Sequence, residues 1–112
     1  MANPFVHVEL NTNDVAKAKS FYGKLFDWKI NSDNEMNYGI VDNGGEGING
    51  GVGQSLQGAH LTWYVQVPSI DDYLQKAEGM GAKTVMPRTE MEMVTFALFA
   101  DPEGNVVGLV EA

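Results

Sequence analysis

The sequence predicts an α+β domain made of two tandem copies of one strand-helix-strands module. Three observations carry this. The 112 residues are 44% hydrophobic, which suits one compact core and leaves no room for a second. An alternating strand followed by an amphipathic helix occurs twice, and the two copies are offset by about 55 residues, near half the chain. Residues 1–112 are therefore expected to form a single domain, with module one at about 4–54 and module two at about 59–111.

In module one, Phe5-Val6-His7-Val8-Glu9-Leu10 alternates apolar and polar residues like a half-buried strand, and Asn11-Thr12-Asn13-Asp14 supplies a helix N-cap. Val15, Ala18, Phe21, Tyr22 and Leu25 then form an apolar stripe at helical spacing, with Lys17, Lys19 and Lys24 outside it. Trp28-Lys29-Ile30 and Tyr38-Gly39-Ile40-Val41 read as strands, the second ending at the turn Asp42-Asn43-Gly44. The glycine-rich stretch from Gly44 to Gly58 reads as a last strand and a short crossover through Gln57. It lacks the Gly-Lys-Ser/Thr and the following helix that a phosphate loop needs.

Module two repeats the plan. Leu61 to Val67 is a strand, Pro68 ends it, and Ser69 caps a helix carrying Ile70, Tyr73, Leu74, Ala77 and Met80, with Gly79 and Gly81 at its close. Lys83-Thr84-Val85 and Thr95-Phe96-Ala97-Leu98-Phe99 answer the two short strands of module one, before the turn Asp101-Pro102-Glu103-Gly104. Pro87 and Pro102 are expected to fix turns. The segment from Met86 to Met93 reads as core filler or as an adaptable rim.

Charge and composition narrow the function. Seven basic residues against 15 acidic ones give a net charge of -8, which repels phosphate backbones and anionic lipid, so neither nucleic acid nor a membrane is expected as a partner. The absence of cysteine excludes disulfides, a thiolate nucleophile and sulfur-ligated metals. The start of the chain lacks a basic signal-type region, and no apolar run approaches the roughly 20 residues that span a bilayer, so a cytoplasmic location is expected.

Strand parity divides the side chains into two sets. Val6, Val8 and Leu10 should pack under the first helix while His7, Glu9 and Asn11 face the other way; Trp63, Val65 and Val67 should do the same against Thr62, Tyr64 and Gln66. Two polar strand faces suit a small-molecule ligand held by several hydrogen bonds, whereas a sheet with one wet face and no ligand explains the same pattern. His7 and Glu9 are the candidate catalytic pair, although Glu9 serves as a base only where water is excluded. Asn11, Thr62, Tyr64 and Gln66 are candidate ligand contacts. Arg88, the one arginine, is a candidate bidentate clamp for a substrate carboxylate if it is not simply solvated.

The run from His7 through Asn11-Thr12-Asn13-Asp14 to Phe21-Tyr22, followed by Leu25-Phe26-Asp27-Trp28 and, near the end, Asp101-Pro102-Glu103-Gly104-Asn105, resembles the vicinal oxygen chelate superfamily. That superfamily includes glyoxalase I, bleomycin-resistance proteins and extradiol dioxygenases. The resemblance runs from about Pro4 to Glu111. It implies paired βαβββ modules whose curved sheets form a cup, and a homodimer, for which Phe5 and Trp28 would be exposed aromatic contacts. It also implies a divalent cation held by His and Glu from the first and last strands of each module, where open positions polarise neighbouring substrate oxygens. His7 matches the first-strand ligand. Thr62 and Gly108 stand at the matching places of module two, and the last-strand place of module one falls near Asn49 or Gly50, with Glu46 the nearby carboxylate. No cofactor is therefore expected. If one divalent metal ion does bind, His7, Glu9 and His60 are the candidate ligands.

Three functions follow. One is a metal-independent small-molecule binder or enzyme of this fold. Another is a metal-dependent lyase, isomerase or dioxygenase. The third is a protein that sequesters a drug without chemistry, similar to bleomycin-resistance proteins.

Overall fold

A computed structural model of the protein describes residues 2–34, 37–45, 47–55 and 58–111. Among them the chain forms, in order, β1 (Phe5–Thr12), α1 (Val15–Phe26), β2 (Lys29–Asn31), β3 (Gly39–Asp42), β4 (Asn49–Gln54), β5 (His60–Val67), α2 (Ile70–Gly79), β6 (Lys83–Glu90), β7 (Thr95–Ala100) and β8 (Val106–Glu111). The predicted α+β class and the repeated β-α-β-β-β order are both present. Contacts divide the chain into two compact units, one spanning His7–Thr62 and the other running from Trp63 onward together with the chain start through Val6.

In the first unit the strands lie in the order β2-β3-β4-β1, with β1 parallel to β4 and the other pairs antiparallel. The second unit repeats this as β6-β7-β8-β5, again with the first and last strands parallel. A parallel pair cannot be joined by a tight turn, and the helix that follows each first strand begins the required crossover.

The caps lie where the polar residues predict. Asp14 is extended (φ -141°, ψ 92°), and its carboxylate accepts from the Lys17 N–H at 3.0 Å. Ser69 Oγ accepts from the Asp72 N–H at 3.3 Å, and Asp71 and Asp72 place negative charge at the positive end of α2.

The helices differ in what they bury. In the second unit Ile70 and Leu74 of α2 meet Val67, Ala97 and Leu109 in a closed cluster, with Val65, Tyr73 and Phe99 against it. In the first unit Val52 is buried, but α1 buries none of its residues fully. Val15, Ala18 and Tyr22 of its predicted stripe are half-buried, whereas Phe21 and Leu25 are each 58% exposed. The cause is placement: α1 lies against β4 and β2, and α2 against β6, β7 and β8, so neither principally covers the first strand of its module. For the same reason Val8 and Trp63, predicted to pack under helices, are exposed; Trp63 packs on Phe5 with ring centroids 5.1 Å apart.

Two further expectations are corrected. Pro87 lies within β6 instead of a turn, where the pairing with β7 shifts register between Thr84 and Met86 and again between Met86 and Thr89. A proline has no N–H to donate, so it fits a strand where the ladder is irregular. Trp28 is half-buried against Phe26 and Tyr22, at centroid distances of 4.9 and 6.3 Å, while Phe5 is exposed as expected.

Candidate functional site

β1 carries His7, Glu9 and Asn11 on one face by its period of two. The His7 imidazole ends at the Tyr38 hydroxyl, with 2.7 Å between Nε2 and the phenol oxygen. Tyr38 stands immediately before β3 and is anchored by Asn34, whose Oδ1 accepts from the Tyr38 N–H at 3.0 Å and whose Nδ2 donates to its carbonyl at 2.7 Å. The Tyr38 ring lies on β4 where the strand has no side chains. A Cβ on Gly51 would overlap the phenol, and one on Gly53 would come within 3.2 Å of the ring. Glycine inside a strand marks such a close approach. Burial pushes His7 below its ordinary value, and the nearby Glu9 carboxylate pulls it partly back. The imidazole is thus neutral at pH 7, suited to accepting a hydrogen bond or a proton.

Asn11 and Thr62 are brought together on the buried side, 9% and 3% exposed, with 3.5 Å from Asn11 Nδ2 to Thr62 Oγ1. That contact is at the outer limit of a hydrogen bond. His60 Nδ1 lies 3.0 Å from the Gly58 carbonyl. A carbonyl can only accept, so Nδ1 carries the hydrogen in this contact. Tyr38 is absent from the candidates chosen by sequence. The signal that points to it is indirect: Gly51 and Gly53 on alternate positions of one strand.

In the second unit Tyr64 is buried, and its ring lies on Gly108 of β8, where a Cβ would again overlap it. Gln66 is half-buried, and its backbone N–H donates to the Pro4 carbonyl at 3.0 Å. Arg88 turns its fork to Glu111, with Nη2 to Oε1 at 2.8 Å and Nε to Oε2 at 3.1 Å, while Nη1 meets Glu90 Oε1 at 2.9 Å. The bidentate geometry expected for a substrate carboxylate is therefore engaged by the protein's own carboxylate. Glu111 also accepts from the Ile70 N–H at 2.9 Å, and Arg88 together with that amide lowers its pKa to about 2.

The registers correct the metal alignment. His7 corresponds to Thr62, so Glu9 corresponds to Tyr64 two residues on. Glu9 pairs with Gly51, and Tyr64 pairs with Gly108. The last-strand place of module one is therefore Gly51, not Asn49 or Gly50. Both carboxylate places are glycine, and each is covered by a tyrosine ring. Glu46 lies outside the described residues, as does Gln57. Among the described residues no three His, Asp or Glu side chains gather as metal ligands, and this includes His7, Glu9 and His60. One imidazole, a threonine and two covered glycines do not fit the cation that the resemblance implies.

Beside this pair the first unit opens a cleft of about 470 Å³ between the start of α1 and the end of β4, lined by Val15, Lys19, Ser32, Tyr38, Gly53 and Gln54 among others. Its size is in the range of small-ligand sites. Lys19 Nζ donates to Ser32 Oγ at 2.7 Å, which places a cation at one wall. Tyr38 is shared: it lines the cleft and its hydroxyl reaches His7.

A profile of the Glyoxalase/Bleomycin resistance protein/Dioxygenase superfamily matches residues 5–109. No curated protein matches the sequence. Among solved structures, a hypothetical protein from Bacillus halodurans C-125 superposes with a TM-score of 0.73 at 13% identity, covering 100% of this chain and 96% of that one. Methylmalonyl-CoA epimerase from Mycobacterium tuberculosis gives 0.68 at 16% identity, covering 96% and 86% of the two chains. A glyoxalase/bleomycin resistance protein/dioxygenase superfamily member from Vibrio splendidus 12B01 gives 0.68 at 13%, covering 99% and 100%. At these identities the likeness establishes the fold, while the profile spans nearly the whole chain; the protein belongs to the glyoxalase/bleomycin resistance/dioxygenase superfamily.

Proposed function

We propose that this chain is a small-molecule-binding member of the superfamily that engages its ligand through side chains instead of a metal ion. The observation that carries this reading is Tyr38, which lines the cleft and whose hydroxyl meets His7 Nε2 at 2.7 Å. A neutral imidazole behind a phenol can hold or pass a proton at a ligand oxygen. Lys19 supplies a positive charge for an anionic ligand group, and Glu9, Asn11 and Thr62 are polar groups of the same unit. A ligand-binding part for Tyr64, Gln66 and Arg88 belongs to the same proposal, with Arg88 released from Glu111 when it acts.

The protein is also proposed to be a homodimer. The support is α1, whose Phe21, Leu25 and Phe26 are 58%, 58% and 52% exposed and which carries Lys17, Lys19 and Lys24 in a chain of net charge -8. A basic, apolar helix on an acidic protein complements a second copy of that protein in charge.

Thermal-shift screening of small carboxylates, carbonyl compounds and aromatic acids in excess EDTA tests the ligand reading. A ligand that stabilises the protein under chelation, and no longer does so in His7→Ala or Lys19→Met, is the expected outcome. If every stabilising ligand requires added divalent metal, the reading is wrong.

A further inference from the structure

The mismatch with the implied metal has a specific local form. Two strands at equivalent register each carry a glycine where a carboxylate would stand, Gly51 opposite Glu9 and Gly108 opposite Tyr64. Each glycine is covered by a tyrosine ring, from a loop in the first unit and from the neighbouring strand in the second. Loss of a ligand by drift would leave a void or water above the strand. Here the space is filled, and in the first unit the filling group also engages the one histidine that matches a ligand position.

We propose that Tyr38 takes the place of a metal ion at His7, its hydroxyl donating into the Nε2 lone pair that a cation would otherwise use while its ring closes the carboxylate position at Gly51. The inference deepens the side-chain reading above and rests on it. A glutamate at position 51 and the phenol of Tyr38 exclude one another, because the first atom of any side chain there would overlap the ring. The same overlap shows that a side chain rooted at residue 51 starts beside the group that bonds His7. Gly51 pairs with Glu9, which lies two residues from His7 on the same face of β1. Substituting Tyr38 and Gly51 together therefore restores two adjacent ligands, whereas substituting Gly51 alone does not. Tyr38 is thus a positioning residue for His7: it selects the tautomer with hydrogen on Nδ1 and keeps Nε2 as acceptor.

The test needs no substrate. The chain has two histidines, so long-range ¹⁵N–¹H spectra, with His60→Gln as the assignment control, report the His7 tautomer directly. Wild type should show hydrogen on Nδ1, and Tyr38→Phe should move His7 toward the Nε2–H form. Cobalt(II) titrations followed by visible absorption should give Tyr38→Ala/Gly51→Glu an affinity at least about tenfold above wild type, the smaller change that support of a metal ligand usually makes. That gain should vanish on adding His7→Ala. Circular dichroism checks that the double variant is folded; if it is not, the Tyr38→Phe tautomer decides alone. An Nε2–H tautomer in wild type, or a folded double variant no better than an inert wild type, overturns this inference and leaves the proposed function standing. Stoichiometric cobalt binding by wild type through His7 overturns both.

Discussion

His7 shows how a residue can be found by sequence while its role is not. Its position follows from strand parity, but its partner Tyr38 lies 31 residues away, at the start of a segment that reads as a strand without indicating which residue its ring will meet. The desolvated imidazole also predicts a pH effect. Its folded pKa lies below the unfolded value of 6.5, so the unfolded chain binds more protons in the interval between them. This contribution to stability is complete above pH 6.5 and is lost as the pH falls through the folded pKa. Urea midpoints should fall on going from pH 7.5 to pH 5.5, and His7→Gln should flatten that dependence; an unchanged slope in His7→Gln would reject the assignment. Gly108 gives a second test. The ring above it belongs to buried Tyr64 on the neighbouring strand, with its near atoms closest to the added Cβ, so the ring cannot simply swing aside. Gly108→Ala should cost about 1–3 kcal/mol, the usual penalty for overpacking, and a loss below about 0.5 kcal/mol would show that Tyr64 moves freely.

At the scale of elements, the two helices were equally legible in sequence and unequal in structure. Asp14 and Ser69 identify both starts, because a capping side chain acts on its own neighbours. The buried face was read correctly for Ile70 and Leu74 but not for Phe21 and Leu25, since the spacing of apolar residues states which side of a helix is apolar and not what covers it. Ile70, with no exposed surface, should lose about 2–5 kcal/mol of stability on truncation to Ala, as measured by chemical denaturation; Leu25→Ala, at 58% exposure, should lose far less in the separated chain. The end of β8 is tied to the start of α2 and to β6 through Glu111, which the sequence offered no reason to single out. Its folded pKa of about 2 lies below the ordinary 4.5, so its contribution is present above pH 4.5 and disappears as the pH falls toward 2. Glu111→Gln should therefore lower stability at pH 7 and narrow its difference from wild type at pH 3. Equal differences at both pH values would show that the tie does not depend on the charge.

For the whole molecule, the tandem repeat was the most legible feature, because it recurs in strand parity, in capping and in turns such as Asp101-Pro102-Glu103-Gly104. The least legible was the site, since the glycine-rich stretch reads as a last strand without disclosing the ring that needs Gly51 and Gly53 bare. The exposed face of α1 predicts that the protein is a dimer at micromolar concentration by light scattering, and that Phe21→Ser/Leu25→Ser yields a folded monomer. A wild-type monomer would remove the dimer proposal. The central claim is that side chains have replaced the metal in this member of the superfamily, and elemental analysis of wild-type protein purified without chelator tests it most directly. The account predicts less than about 0.1 divalent transition-metal ion per chain; about one ion per chain, lost in His7→Ala, would contradict it.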